Sequence, residues 1–285
     1  MSPRRIIGLL KQTLDEWLDD RGFTRSASLS YYTVFSIAPL LLIAVAVAGF
    51  VFGQDAVTGQ LHEELQGMVG DEGATAIQEM MKSASKPGRG IVASILGFVM
   101  LGAGATGAFV ELQDTLNDMW GVDKNKTSGV LGFLRARVLS LAMVVVIAFL
   151  LLVSLVVSTA LAALGHYTAT AFPGWDIALQ IANLVFSFAV ITVLFAAIYK
   201  VLPNVKVGWK DVWLGAAFTS VLFAIGKLLI GLYLGKSSVS SSYGAAGSFA
   251  VLLVWINFSS MILFFGAEFT QVFSRSKQGG GAPVD

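Results

Sequence analysis

Long uncharged stretches separated by short charged ones set the plan of this chain. Ser26–Gln54, Ile91–Val110, Val138–Trp175, Ile177–Tyr199 and Ser237–Ala267 carry no charge, and Val212–Gly235 is interrupted only by Lys227. A helix needs about 20 apolar residues to cross the hydrocarbon core of a bilayer. Val138–Trp175 has room for one span plus a loop, broken at Gly165, His166 and the Pro173-Gly174 turn. The pattern predicts an all-α polytopic membrane protein, a bundle of six transmembrane helices over about 34–53, 91–112, 138–164, 177–201, 212–235 and 246–272. The first apolar run starts deep and lacks a cleavage pattern, so it reads as a retained span and not a signal peptide.

Two regions between the spans have a pattern of their own. Residues 4–20 read as an amphipathic helix with Ile6, Leu10, Leu14 and Trp17 on one face and Asp15, Glu16, Asp19 and Asp20 on the polar side. Its acidic face is unlike a lipid-binding polybasic helix, so it is expected to pack on the protein's own surface. In the outer loop 55–90, Leu61, Leu65 and Met68, then Ile77 and Met80, suggest two short helices split by Gly70-Asp71-Glu72-Gly73, which could cap the outer side of the bundle. Residues 1–275 are expected to form a single membrane domain and 276–285 a disordered tail.

Composition and charge sharpen this. The chain is 55% hydrophobic and 13% charged, against about 25% charged in soluble domains. Fourteen basic residues fall on the face with both termini, the 113–137 loop and the loop after the fourth span, and four on the other face. The positive-inside rule places N- and C-termini in the cytoplasm. A net charge of +1 gives no field for nucleic acid, and the absence of cysteine excludes disulfides, thiolate metal sites and a Cys nucleophile. Trp17, Tyr31, Tyr32, Trp120, Trp175, Trp209 and Trp213 lie near predicted interfaces, as aromatic belts do. Pro39 is expected to kink or start the first span. Ala103 with Gly107, and Gly231 with Gly235, are small-residue pairs that let helices approach closely.

Several motifs in order carry a resemblance. Ala27-Ser28-Leu29-Ser30-Tyr31-Tyr32-Thr33-Val34-Phe35-Ser36-Ile37-Ala38-Pro39-Leu40 leads into the first span, and Leu116-Asn117-Asp118-Met119-Trp120-Gly121-Val122 follows the second. Leu202-Pro203-Asn204-Val205 follows the fourth, and Tyr243-Gly244-Ala245-Ala246-Gly247-Ser248 and Phe265-Gly266-Ala267-Glu268-Phe269 bracket the sixth. From about residue 10 to 275 the chain resembles the YihY/virulence factor BrkB family of bacterial inner-membrane proteins. The resemblance implies a multi-pass inner-membrane location. It also implies association with virulence, serum resistance or export of lipid or lipopolysaccharide precursors. Members once carried a ribonuclease BN label, now regarded as mistaken, and no catalytic residues come with the family.

The residues likewise argue against nuclease chemistry. His62 and His166 fall on the outer side, and no acid–base or metal set appears. The informative groups are polar residues inside spans. Asn257, Met261, Phe264, Glu268 and Gln271 follow steps of three or four on one helical face. That stripe reads either as interhelical glue or as the lining of a substrate path. Glu111, with Asp114, Asn117 and Asp118 beyond it, sits at the matching depth. These carboxylates could form a mouth, take a proton, or pair with Arg21, Arg25, Arg135 or Arg137. Lys227 lies eight residues before Gly235, about 12 Å from the helix end, farther than snorkelling reaches. It reads as an anion-attracting lysine in an outward cavity or as a structural cation.

The function expected is transport or flipping of an amphipathic, lipid-like substrate, anionic ones included, with Glu111, Asp114, Asn117, Lys227, Asn257, Glu268 and Gln271 along the path. The alternative is a non-transporting scaffold for envelope assembly. No enzyme, cofactor, metal or nucleic acid is expected. Membrane lipids are the expected partners, with homo-oligomerisation and envelope-assembly partners left open. A wet cavity would favour transport, and a dry core with every polar group paired would favour the scaffold.

Overall fold

The computed structural model describes residues 3–52, 58, 61, 65–66, 71, 73–82, 107–122, 175–205, 207–236 and 247–277. The secondary structure is helical, with no strand among the described residues. The helices are α1 (Pro3–Asp19), α2 (Gly22–Phe52), α3 (73–82), α4 (107–119), α5 (Trp175–Val201), α6 (Trp209–Lys236) and α7 (Gly247–Lys277). Ala178–Val201, Trp209–Leu232 and Phe249–Lys277 are long and apolar enough to cross a membrane. The expected span 138–164 and most of 91–112 lie outside the described residues.

The α7 helix is the hub, packing against α1, α2 and α6, while α5 packs on α6. Its closest contact is with α6 and is reciprocal. A Cβ added at Gly215 would stand 1.8 Å from Thr270 Oγ1, and one added at Gly266 would stand 1.9 Å from Thr219 Oγ1. Each threonine sits four residues after its own helix's glycine and donates to that glycine's carbonyl, Thr219 to Gly215 at 2.8 Å and Thr270 to Gly266 at 2.7 Å. A hydroxyl in an apolar interior is costly unless bonded, and the i−4 carbonyl satisfies it locally. The missing Cβ on the facing helix then makes room for the satisfied side chain. Tyr199 of α5 completes the junction: its hydroxyl donates to Leu263 O at 2.8 Å and lies 3.1 Å from Thr219 Oγ1.

Small residues were expected to act elsewhere. Among the described residues nothing lies within 4 Å of a Cβ added at Gly231, which is exposed beside Leu228, Leu229 and Leu232. The contact face of α6 runs instead through Gly215, Thr219 and Gly226, the last against Phe258 and Ile262. Gly107 does sit in close contact, 3.1 Å from Tyr32 measured from an added Cβ; Ala103 lies outside the described residues.

The α1 helix is amphipathic, but its buried face is rotated from the one expected. Leu9, Thr13 and Trp17, spaced by four, are buried, whereas Ile6 and Leu14 are each 45% exposed. Thr13 counts as apolar surface because its hydroxyl closes on Leu9 O at 2.8 Å. Leu9 clusters with Val272 and Phe273 of α7. Trp17 is therefore a core residue and not part of an interfacial belt. Its indole packs edge-on against Phe23, with centroids 4.6 Å apart, and Phe265, at 6.1 Å. It also lies on Gly22, where an added Cβ would come within 2.1 Å of the ring. Two acidic residues expected on the solvated side, Glu16 and Asp20, are half-buried. Trp209, Trp213, Tyr31 and Tyr32 are exposed.

The α2 helix begins at Gly22, well before Pro39, and continues through it. Its polar entry is tolerated because Ser26, Ser30 and Ser36 donate to carbonyls one turn back, at 2.8, 2.8 and 3.1 Å. On the opposite end of the bundle from α1, Ala74, Ile77 and Met81 of α3 pack with Val34 of α2 and Leu252 and Ile256 of α7. The helical α7 includes Ser276 and Lys277, with Lys277 Nζ 2.7 Å from Asp211; the rest of the segment expected as a tail, 278–285, lies outside the described residues.

Replacing Gly215 or Gly266 by Ala should destabilise the fold by about 1–3 kcal/mol through overpacking. Gly231→Ala should be neutral or stabilising by up to about 1 kcal/mol. Thermal unfolding of the three variants in one detergent checks the ordering.

Candidate functional site at the α1 end of the bundle

Polar side chains of α1, α4 and α7 converge where the α1–α2 turn meets the C-terminal half of α7. Two helices end here in the left-handed conformation. At the end of α4, Gly121 takes φ 64°, with Gly121 N–H donating to Asp118 O and Val122 N–H to Asn117 O, both at 2.9 Å. This is a Schellman end, and glycine adopts it at no steric cost. At the end of α1 the equivalent residue is Arg21, φ 56°, whose N–H donates to Leu18 O at 3.0 Å. A long side chain there is uncommon. The neighbouring glycine, Gly22, is needed under the Trp17 ring instead.

Arg21 opens onto a cavity of about 190 Å³, lined by Asp19, Asp20, Arg21 and Arg25 on one side and Thr115, Asp118 and Met119 of α4 on the other. Arg25 is ion-paired with Asp118 across it. Burial raises the Asp20 carboxyl above the usual aspartate range, and repulsion from Glu16 adds to this. Nearby, Arg275 of α7 bonds Glu16 of α1 at 2.7 Å.

The stripe on α7 turns inward as it approaches this end. Asn257 and Met261 are half-buried, and Phe264, Glu268 and Gln271 are buried. Gln271 donates its amide to Met119 O. Glu268 is 0% exposed, and as placed neither carboxylate oxygen completes a hydrogen bond among the described residues. Asp20, Glu16 and Arg275 are the charged groups that act on it, with Glu16 also a hydrogen-bonding neighbour. The other buried side-chain atoms without a partner among the described residues are Trp17 Nε1, Thr115 Oγ1 and Gln271 Oε1. All of them sit on α1, α4 and α7. Each such group costs about 1–3 kcal/mol, and a cluster of them calls for water, a proton or a polar ligand.

The remaining sequence candidates are divided. On α4, Asn117 Oδ1 accepts from Asn204 N–H at 2.7 Å, and Gln113, which sequence reasoning passed over, donates to Leu202 O at 2.9 Å. These bonds staple α4 to the 202–205 connection. Glu111 is half-buried and Asp114 exposed. The arginine that meets a carboxylate of α4 is Arg25, on Asp118 and not on Glu111; Arg135 and Arg137 lie outside the described residues. Lys227 is exposed, at the level of Phe258 and Ile262, which its neighbour Gly226 touches. Six residues separate Ile262 from Glu268, about 9 Å along the helix, so Lys227 does not join the Glu268 cluster. Sequence reasoning missed Thr115 and the cavity role of Arg21. An Arg-Gly pair following a helix pattern that ends in Asp-Asp was the available signal for the turn.

The family model described as Virulence factor BrkB matches residues 13–283. The chain belongs to this family. Among its relatives, a UPF0761 membrane protein of Verminephrobacter eiseniae is 28% identical over 267 residues, covering 91% of this chain and 60% of the relative. One of Pseudomonas aeruginosa is 25% identical over 262 residues, covering 92% and 61%. One of Saccharophagus degradans is 28% identical over 264 residues, covering 90% and 57%. The BrkB-family chain thus spans about 60% of the length of the curated relatives it matches. No solved structure matches it. Family and apolar helices together make it a membrane protein.

Because the folded state holds protons on Asp20 more tightly than the unfolded chain does, stability contributed at this residue falls as pH rises from the unfolded aspartate range through the raised value. Asp20→Asn should therefore raise the unfolding temperature at neutral pH. The gain should vanish below about pH 4, where aspartate is protonated in both states. Thermal unfolding of wild type and variant across pH checks the sign.

Proposed function

We propose that this BrkB-family chain is a multi-pass protein of the bacterial inner membrane, with six spans and cytoplasmic termini, that moves an amphipathic lipid-like substrate across the bilayer without catalysing a reaction. The observation that carries this reading is Glu268: fully buried within a membrane-spanning helix, with both oxygens unpartnered. An ionisable group inside a span is a functional-site hypothesis by default. A buried carboxyl without a partner must acquire one, either a proton, a cation or a basic group of the cargo. A carboxyl buried in a span that takes up and gives back a proton is suited to couple substrate movement to a proton gradient.

The contrast with the α5–α6–α7 junction favours this reading over a scaffold. There, Tyr199, Thr219 and Thr270 are all bonded, and the Thr192 and Ser220 hydroxyls lie 3.0 Å apart and each donate to their own helix. A scaffold would be expected to pair its polar groups in that manner throughout. The α3 packing at the far end and the cavity at the α1 end also fit a carrier closed outside and open to the cytoplasm.

The test is reconstitution into liposomes containing fluorescently tagged phospholipid, with leaflet transfer followed by dithionite quenching. Wild type should accelerate transfer over protein-free liposomes, with a rate that depends on pH. Glu268→Gln keeps the size of the side chain and should lower the rate by at least about tenfold and remove the pH dependence, while unfolding near the wild-type temperature. A folded Glu268→Gln variant with the wild-type rate and pH profile would overturn the role of this carboxyl.

A further inference from the structure

The cavity at the α1–α2 turn presents charges of both signs that the protein leaves unspent. Arg21 holds a left-handed backbone position that glycine would occupy without strain, and it makes no ion pair among the described residues. Asp19 and Asp20 line the same cavity and likewise make none. Arg25 and Asp118 are already ion-paired with one another. Thr115 is 0% exposed, lines the cavity and leaves its Oγ1 unbonded. The volume, about 190 Å³, is well above the roughly 10–15 Å³ that one water needs.

Opposite unspent charges select the ligand. A simple anion on Arg21 would meet two aspartates, and a simple cation on the aspartates would meet Arg21. A zwitterion satisfies both. We propose that this cavity binds a zwitterionic phosphate–amine head group, of the phosphoethanolamine kind, with the phosphate on Arg21 and the Thr115 hydroxyl and the ammonium on Asp19 and Asp20. An arginine suits the phosphate because its guanidinium donates in a planar fork. Burial and Glu16 raise the Asp20 carboxyl even though Arg25 and Arg275 act against them. This assignment deepens the transport reading, on which it rests for the step that follows binding, by naming the head group.

Binding can be measured without transport. The full chain, purified in detergent free of phospholipid, is titrated calorimetrically with dihexanoyl phosphatidylethanolamine, dihexanoyl phosphatidylglycerol and free phosphoethanolamine. The ethanolamine lipid should bind at least about tenfold more tightly than the glycerol lipid, which lacks the ammonium. Arg21→Gly should weaken ethanolamine-lipid binding by at least about tenfold, with an unfolding temperature equal to or above wild type, since glycine suits φ 56°. Asp19→Asn with Asp20→Asn should abolish the preference between the two lipids. Free phosphoethanolamine binding as well as the lipid does would support the site and name a soluble zwitterion as its source; binding of the lipid alone would support it and name the membrane. Equal binding of the two lipids to wild type, or a folded Arg21→Gly variant with wild-type affinity, would overturn the proposal. Neither result bears on the Glu268→Gln transfer rate, so the two readings fail separately.

Discussion

The structure depends on how closely two helices can approach in a medium that offers no water to their polar groups. The α6 and α7 helices meet through glycines set against threonines, and each threonine is already bonded to its own backbone. The arrangement works only as a pair of pairs. Without the glycines the helices would stand off, and without the i−4 bonds the threonine hydroxyls would be stranded in an apolar seam. Tyr199 reaches the same point from α5, so three helices are set by one junction. From it α7 extends in one direction to meet α2 and α3, and in the other to meet α1 and α4.

The two directions differ in polarity. Toward α3, the contacts of α7 are made by Leu252 and Ile256. Toward α1 and α4, apolar Phe265, Val272 and Phe273 are joined by Glu268, Gln271 and Arg275, and the bonding of the polar groups is incomplete. Gln271 and Asn117 show that some polar groups here are ordinary glue, tying α4 to α7 and to the 202–205 connection. Glu268, Thr115 and the Trp17 indole are not explained that way. The cavity beside them has a charged lining on two walls supplied by a turn and by the end of α4.

Hydropathy made the long helices legible, because charge-free length is a one-dimensional property. It also singled out Glu268, an acidic residue closing a charge-free run. What it could not give is rotation. The face of α1 was read from its apolar residues, yet the buried face is the one containing Thr13, whose hydroxyl is hidden by its own helix. Small-residue spacing likewise points to Gly231, whereas the contact is glycine with threonine at 215 and 219 and at 266 and 270. Trp17 looked interfacial by position and is core by contact, since only the three-dimensional turn brings Gly22 beneath it. Lys227 is visible to sequence as an anomaly, but its neighbours depend on which way α6 turns around Gly226.

The bond between Glu16 and Arg275 joins positions 259 residues apart. At a synthesis rate of about 5–20 residues per second, α1 waits roughly 10–50 s before the segment it packs against has been made. During that interval Leu9 lacks Val272 and Phe273, and Trp17 has Gly22 and Phe23 but not Phe265. The seating of α1 is therefore a late step in biogenesis, and it takes place only once α7 is in position. The turn that lines the cavity is thus held by a helix whose seating waits for a contact made much later in synthesis.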